Sequence, residues 1–276
     1  MDDMGSYVAD DDLAIGPLNE LGWDVSTISW RQTERAWSDF EAVVIRTPWD
    51  YQLSPDDFLA VLDEIESVTR LENPLEVVRW NLDKRYLREM EERGTRIVPT
   101  IWDAAYTEME FDRWADQFGG GEMIVKPTVS ATAGHTYRLT SYDAALEEIF
   151  ATRPFLVQPF MPNIVNEGEY SLFYFNGEYS HTINKSPKKN DFRVQEEHGG
   201  VITEVCPEPE LMAAAEGAVA KIGRDLLYAR VDLVRDDENN FCLMELELIE
   251  PALYLRMNAQ APRRFAAALD RMLSSR

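Results

Sequence analysis

The sequence predicts an α/β protein in which a doubly wound N-terminal part is followed by an antiparallel sheet. The N-terminal part is indicated by short apolar β-type runs that alternate with helical segments. The antiparallel sheet is indicated by Asn176-Gly177, a strong hairpin signal between two apolar runs. Residues 229–234 and 240–249 form a second pair of predicted strands, joined by the acidic turn 236–239.

The N-terminal elements follow from apolar spacing and helix-capping residues. A helix is predicted over residues 13–21, a strand over 23–30, and a buried strand over 41–46. The loop after that strand carries Arg46, Trp49 and Asp50 at a position where open α/β sheets place ligand contacts. Ser54 as N-cap and Pro55 at the first position predict the start of the next helix. We expect this doubly wound part to end near residue 78.

The central and C-terminal elements are read in the same way. Helices are predicted over residues 81–93, 111–118, 142–150 and 211–226, and a last helix from residue 262 presents a packing face. Strands are predicted over 97–101, 123–127, 155–160, 170–175 and 178–183. Loops are expected at 119–121, 128–136 and 185–200.

Composition excludes several classes of function. Asp and Glu number 50 against 27 Lys and Arg, so the net charge of −23 argues against nonspecific binding to nucleic acid or to anionic membranes. No apolar run approaches the ~20 residues that a membrane span needs. The N-terminal residues lack the features of a signal peptide, so we expect a cytoplasmic protein. Two cysteines and three histidines form no zinc or redox motif.

Acidic side chains concentrate on the strand over residues 241–251. Strict alternation puts Glu245 and Glu247 on one face together with Leu243, and Met244, Leu246 and Leu248 on the other. Two neighbouring carboxylates repel unless a cation lies between them, and Mg²⁺ prefers oxygen ligands. A solvated strand face explains the same pattern in so acidic a chain, so this strand alone leaves both interpretations open.

Basic side chains stand out against the acidic background. Lys126 ends an apolar strand and precedes a loop of small residues from Ser130 to Gly134, whose backbone N–H groups could approach phosphates. Arg230 and Asp232 share one face of the strand that is expected to pair with the acidic one. Arginine suits phosphate oxygens and aspartate suits magnesium. An exposed lysine and a simple Arg–Asp ion pair are the alternative interpretations.

The order of these motifs resembles the ATP-grasp superfamily, most closely the ATP-binding region of prokaryotic glutathione synthetase and related amino-acid ligases and cyclo-ligases. The resemblance covers about residues 81–251 and rests on the order of the motifs. It implies that Lys84 and Lys126 bind the nucleotide and that Glu169 binds the ribose hydroxyls. The implied adenine hinge comprises Gln158, Phe160 and Met161. Arg230 resembles the phosphate arginine, and Asp232, Glu245 and Glu247 resemble the metal acids.

The resemblance implies an ATP-grasp fold with an N-terminal domain over 1–78, a central subdomain with a phosphate-covering loop over 79–157, and a C-terminal subdomain with the metal site over 158–276. It implies ATP and Mg²⁺ as cofactors, with two Mg²⁺ ions in the site. The implied activity is ligation of a carboxylate to an amine through an acylphosphate, on small amino-acid or peptide-like substrates. Ring closure within one molecule, a kinase that stops at phosphorylation and a nucleotide-binding regulator without turnover are the alternatives. A homo-oligomer is left open.

Substrate contacts are implied at further positions. Lys185 and Arg193 lie where relatives contact phosphates and a substrate carboxylate, and Arg193 is the expected anion ligand. Arg256 and Asn258 would reach the substrate or cap the last helix, and Lys188 and Lys189 are expected to be solvated. Two departures from the family pattern stand out. Glu247 replaces the usual asparagine, and the chain begins on an acidic loop where relatives have a buried strand. Either that strand is missing or the start was assigned late.

Overall fold

The computed structural model describes residues 5, 7–32, 35–130, 134–189 and 191–275. Within them lie a two-stranded sheet β1-β2, a three-stranded sheet β4-β3-β5, and a five-stranded sheet β10-β9-β6-β7-β8. The strands are β1 Ala42–Val44, β2 Arg70–Glu72, β3 Met123–Pro127, β4 Tyr137–Leu139, β5 Phe155–Pro159, β6 Glu169–Phe175, β7 Glu178–Ser186, β8 Val201–Glu204, β9 Tyr228–Arg235 and β10 Phe241–Glu247. The helices are α1 Ile15–Glu20, α2 Pro55–Val68, α3 Leu75–Asn81, α4 Tyr86–Glu92, α5 Glu108–Gln117, α6 Glu147–Thr152, α7 Asn163–Asn166, α8 Pro209–Ile222 and α9 Ala261–Ser274.

The N-terminal part contains a parallel β1–α2–β2 unit, which confirms the predicted α/β character. Helix α2 begins with Ser54 at the N-cap and Pro55 at the first position, although the Ser54 side chain makes no capping hydrogen bond. Its residues Phe58, Leu62 and Ile65 are fully buried against the parallel strands. The geometry of this unit leaves the loop after β1 at one end of the sheet, as predicted from the sequence.

The predicted strand over residues 23–30 is wrong, because these residues form no strand. Its large side chains are anchored singly to different elements. The Trp23 indole donates to Asp270 Oδ1 on α9 at 3.0 Å, and the Trp30 indole donates to Asp50 Oδ1 at 2.9 Å. The apolar alternation therefore reflects separate side-chain contacts and not pairing with a neighbouring strand.

The predicted single helix over residues 81–93 is also wrong, because a turn separates α3 from α4. Asn81, at the end of α3, uses its side-chain amide to donate to Leu246 O at 2.9 Å and to accept from Leu248 N at 3.0 Å. Docking of Asn81 on the end of β10 stops α3 there. Gly94, at φ +82°, ends α4 as predicted.

The predicted strand over residues 97–101 is replaced by a crossing segment. Ile97 bridges to Leu243 in the five-stranded sheet, and Ile101 bridges to Val157 in the three-stranded sheet. The backbone of this segment therefore pairs with two different sheets, through Ile97 at one sheet and Ile101 at the other. Strands β2, β4 and β8 were not predicted, and helix α6 begins at Glu147, after a 3₁₀ turn over Ala144–Leu146.

The antiparallel C-terminal sheet confirms the hairpin prediction. Strands β6 and β7 are joined at Asn176 and Gly177, which have φ values of 49° and 75°. Consecutive left-handed residues are what a tight hairpin turn requires. Strand β7 extends through Ser186, so Lys185 belongs to the strand and not to the loop. Helices α4 and α8 pack on the β9–β10 pair and complete the largest hydrophobic core of the described residues.

A β-bulge in β10 corrects the predicted faces of this strand. Leu243 pairs with Leu233, but Glu245 pairs with Asp232, so Met244 is an extra residue in the ladder. Leu243 is therefore buried with Leu246 on the core side, and Met244 faces the opposite side. The prediction exchanged Leu243 and Met244. Glu245 and Glu247 do share a face, as predicted.

No helix in the described ranges is both long and apolar enough to cross a membrane.

Candidate active site

A cavity of ≈ 300 Å³ lies where the N-terminal segment, the three-stranded sheet and the five-stranded sheet meet. Every predicted nucleotide, metal or catalytic residue lines it except Gly134. The lining members of that set are Lys84, Lys126, Ser130, Gln158, Phe160, Met161, Glu169, Lys185, Arg193, Arg230, Asp232, Glu245 and Glu247. Residues distant in sequence are thus brought into one cavity, and their roles there stay predictions.

Lys84 and Lys126 line the cavity, as does Ser130 of the predicted phosphate-covering loop. Lys84 Nζ lies 3.2 Å from Glu245 Oε1 and donates to Ser130 O at 2.7 Å. Lys126 is buried, yet among the described residues its ammonium makes no ion pair or hydrogen bond. Burial lowers the pKa of Lys126, an effect that Glu245 offsets in part and Lys84 reinforces. The Lys126 ammonium is therefore available to an anionic ligand.

Lys185 lies between two buried carboxylates of the five-stranded sheet. Its ammonium pairs with Glu169, its register partner, and lies 3.4 Å from Asp232 Oδ2. Burial opposes its charge, but Asp232 and Glu169 together raise the pKa of Lys185. Burial raises the pKa of Glu169 despite the Lys185 contact.

Arg230 joins the acids of β9 and β10. Its Nε and Nη2 donate to both carboxylate oxygens of Asp232 at 3.0–3.2 Å, and Nη2 also donates to Glu247. Burial opposes the charge of Asp232, yet Arg230 and Lys185 hold the pKa of this carboxyl below its usual value. The Arg–Asp ion pair, which was the alternative interpretation of these residues, is present, and both residues line the cavity.

The predicted metal acids lie on adjacent register positions. Glu245 is directly opposite Asp232, and Glu247 is opposite Arg230. Burial, together with repulsion from Asp232 and Glu245, raises the pKa of Glu247 to about 8 although Arg230 lowers it. These hard oxygen donors therefore suit a divalent cation, which would relieve their repulsion.

The carboxylates nevertheless turn toward basic side chains. Among the described residues, no three Asp, Glu, His or Cys side chains are close enough together to hold a metal ion. Glu245 contacts Lys84, and Glu247 contacts Arg230. A bound cation would have to compete with these ion pairs.

The predicted adenine hinge forms an apolar wall of the cavity. Phe160 N donates to Glu122 O at 2.8 Å, whereas the Met161 N–H makes no hydrogen bond within the described part of the chain. Met161 packs with Val98, Ile164 and Val194. The Gln158 amide donates to Thr100 Oγ1 at 2.9 Å, so this side chain is held by the protein itself.

The Phe160 ring lies under the Arg138 guanidinium, with the guanidinium carbon 3.7 Å from the ring centroid. Ser130 lies near Lys84 as described above, whereas Gly134 does not line the cavity. Residues 131–133 of the predicted phosphate-covering loop lie outside the described residues.

Arg193 lines the cavity beside Asp191, to which its Nη2 donates at 2.9 Å. This contact lowers the pKa of Asp191. The loop that carries Arg193 turns at Gly200, where an added Cβ would lie 2.0 Å from Val194 O. Lys188 and Lys189 are exposed, as predicted.

The remaining substrate-facing candidates separate into two groups. Trp49 lines the cavity, whereas Arg46 and Asp50 do not. Arg46 is instead bound to Asp11 Oδ1 at 2.6 Å and to Pro251 O at 2.7 Å. Asn258 Oδ1 accepts from Gln260 N at 3.0 Å beside the start of α9, which favours the capping role.

Arg256 is held away from the cavity by Asp10 and Glu196. The lining residues that were not predicted as site residues include Tyr7, Tyr51 and Glu250. Of these, Glu250 carried a signal in the sequence, because it is the acid at the end of the predicted acidic strand, just before Pro251.

Comparison with known proteins finds relatives that align with most of the chain. The family model for the N-terminal domain of D-cycloserine synthetase DcsG matches residues 1–73. The chain is 31% identical to the cycloserine biosynthesis protein DcsG of Streptomyces lavendulae, with 92% of this chain and 90% of that protein aligned. It is 23% identical to the glutathione synthetase of Rhodopseudomonas palustris, over 71% of this chain and 62% of that protein.

Solved structures agree with these sequence relationships. A crystal structure of D-cycloserine synthetase DcsG superimposes with a TM-score of 0.83 at 29% identity, covering 95% of this chain and 94% of that chain. The ATP-grasp ligase PsnB superimposes with a TM-score of 0.66 at 15% identity, covering 96% of this chain and 94% of that chain. The second likeness concerns the fold alone and confirms the predicted fold class.

Proposed function

Because the chain belongs to the ATP-grasp amino-acid ligases, in the family of the D-cycloserine synthetase DcsG, we propose that it closes an amide bond within a small amino-acid derivative at the expense of ATP. As a member of that family it is an ATP-dependent ligase. The proposal adds the class of substrate, the acylphosphate route and the intramolecular attack.

The observation that carries the proposal is the convergence of four basic side chains on one cavity. Lys84, Lys126, Lys185 and Arg230 come from four separate segments, and all are at least nine-tenths buried. Phosphoryl transfer requires chiefly positioning and neutralisation of phosphate charge, which such groups supply in a partly dry site. Lys126 supports this role most directly, because its ammonium has no partner in the described residues.

Asp232, Glu245 and Glu247 are the residues that would hold magnesium. They supply hard oxygen ligands on adjacent positions of β9 and β10. When bound, the metal would neutralise phosphate charge beside Arg230. The likeness to ATP-grasp ligases supports ATP as the nucleotide.

The proposed chemistry needs no protein nucleophile. A carboxylate oxygen of the substrate attacks the γ-phosphorus, ADP leaves, and a mixed carboxylic-phosphoric anhydride forms. The amine nitrogen of the same molecule then attacks the carbonyl carbon and loses a proton. The C–O bond to phosphate breaks, so one carboxylate oxygen leaves with inorganic phosphate.

One finding supports a small substrate that cyclises. The relative aligned over most of this chain is named for the synthesis of cycloserine, a cyclised amino-acid derivative.

The test is a screen of amino-acid derivatives that carry an amine able to reach their own carboxylate. The measurements are magnesium-dependent release of ADP and phosphate, and the mass of the product. We expect a product that is lighter than the substrate by one water molecule, formed in equal amount to ADP. A stable phosphorylated product would indicate a kinase instead. ATP binding without any turnover would indicate a regulator.

A further inference from the structure

Glu250 is an acid of the cavity wall whose carboxylate has no cationic partner among the described residues. The acids that line the cavity are Glu169, Glu196, Glu197, Asp232, Glu245, Glu247 and Glu250. Each of the others forms an ion pair with a lysine or arginine, except Glu197, which is exposed at the rim. Glu250 is half-buried, and within the described ranges its carboxylate forms no ion pair.

The backbone at Glu250 is held in place by two hydrogen bonds. Its backbone carbonyl accepts from the Trp49 indole at 2.8 Å, and the preceding carbonyl of Ile249 accepts from the Tyr228 hydroxyl at 2.8 Å. Burial raises the pKa of Glu250 to about 7, and the neighbouring hydroxyl of the buried Tyr51 lowers it in part. The Glu250 backbone is therefore anchored at the cavity wall.

The surroundings of this carboxylate favour a cation. Trp49, Tyr51 and Tyr7 line the same cavity, and the rings of Tyr7 and Trp49 lie 5.2 Å apart. Aromatic faces attract ammonium groups, and the attraction grows as water is excluded. A carboxylate without a cation in a half-buried aromatic setting lacks the partner that buried charges ordinarily have.

We propose that Glu250, which lines the cavity together with Tyr7, Trp49 and Tyr51, binds the α-ammonium group of an amino-acid substrate. This inference rests on the proposed function and specifies it, because it requires a substrate with a free α-amino group. Arg230 and Glu250 both line the cavity, and the charge of Arg230 acts on Glu250.

The test uses serine, as both enantiomers, and 3-hydroxypropionate, which lacks only the amino group. Binding of each to the full chain is measured by calorimetry with a non-hydrolysable ATP analogue and magnesium present. We expect wild type to bind one enantiomer of serine at least about 10-fold more tightly than 3-hydroxypropionate, since a hydrogen bond to a charged group is lost in the latter. Glu250→Gln should abolish this preference, whereas Glu197→Gln, the same change at the rim, should keep it.

Binding of the ATP analogue to each variant shows that the fold and the nucleotide site are intact. Equal binding of serine and 3-hydroxypropionate by wild type, or an unchanged preference in Glu250→Gln, would overturn the assignment. Failure of the proposed function has a separate sign, which is the absence of substrate-dependent ADP release by wild type. If wild type turned over substrates with and without the α-amino group equally well, the Glu250 subsite would be contradicted while the proposed ligase activity would stand.

Discussion

Glu245 lies directly opposite Asp232 in the antiparallel pair of β9 and β10, one residue after a bulge at Met244. Directly opposite side chains on one face of a sheet have Cβ atoms within about 5.5 Å. The bulge keeps the acids on the cavity side while Leu243 and Leu246 stay in the core. This pair of acids is the basis of the proposed metal site.

Replacing Glu245 with Gln should lower magnesium-dependent turnover of ATP by about 100-fold and raise the magnesium concentration required, because one charged oxygen ligand is lost. The measurement is ADP release as a function of magnesium concentration. Glu238→Gln is the matched control, since Glu238 lies on the same hairpin and is 79% exposed. Undiminished turnover in Glu245→Gln would show that this residue is not a metal ligand.

The two buried lysines Lys126 and Lys185 should respond oppositely to replacement by Met. Lys126→Met removes a buried charge that has no ion-pair partner in the described part of the chain, so the free energy of unfolding should stay constant or rise, while ATP affinity falls. Lys185→Met leaves Glu169 without its partner and should lower the free energy of unfolding by about 3 kcal/mol. Urea unfolding and ATP titration measure both effects. Equal destabilisation by the two changes would contradict this assignment of partners.

Gly200→Ala should disturb the loop that carries Arg193, because its new Cβ would lie 2.0 Å from Val194 O. We expect a loss of roughly 1–3 kcal/mol in the free energy of unfolding and a lower kcat/KM. Gly217→Ala is the control, since an added Cβ there meets nothing within 4 Å. In helix α8 that change should stabilise the protein by up to about 1 kcal/mol. If Gly200→Ala behaved like Gly217→Ala, the loop would not depend on Gly200.

His181 should make stability depend on pH in a defined window. Burial lowers the pKa of His181 to about 4, although the Leu253 carbonyl opposes this effect, and the ring stacks on Phe173 with centroids 4.3 Å apart. The unfolded chain takes up a proton near pH 6.5, whereas the folded chain resists it until pH 4. The free energy of unfolding therefore falls as the pH drops from 6.5 to 4, by up to about 3 kcal/mol, and this group contributes no slope above pH 6.5.

Urea unfolding of wild type and His181→Gln at several pH values isolates this contribution, because the other titrating groups are common to both proteins. The difference in free energy between the two should change between pH 6.5 and 4 and be constant above pH 7. A difference that is constant throughout would show that His181 is protonated as readily in the folded state.

The elements predicted best are those whose signal is local. The Asn176-Gly177 turn specifies its own backbone conformation, and the apolar run of β3 begins and ends at the predicted residues. The elements missed depend on distant partners. Asn81 ends α3 because it bonds to β10, and residues 97–101 bridge two sheets, neither of which is visible in local periodicity.

The same distinction holds for the cavity. Lys84, Lys126, Arg230 and Glu245 could be found because they stand in a recognisable order along the chain. Tyr7 and Tyr51 follow no such pattern, and only the packing of the N-terminal segment brings them to the wall. Trp49 was named as a candidate, but its bond to the Glu250 carbonyl joins residues 201 positions apart. Pairing over such a span depends on the tertiary fold.

The most direct test of the acylphosphate ligase is oxygen transfer from the substrate carboxylate. A substrate found by the ADP-release screen is labelled with ¹⁸O in its carboxylate, and the released inorganic phosphate is analysed by mass spectrometry. The proposed route predicts one ¹⁸O atom in each phosphate, and the other in the amide product. Unlabelled phosphate, with the second ¹⁸O atom released as water, would contradict activation of the carboxylate by ATP.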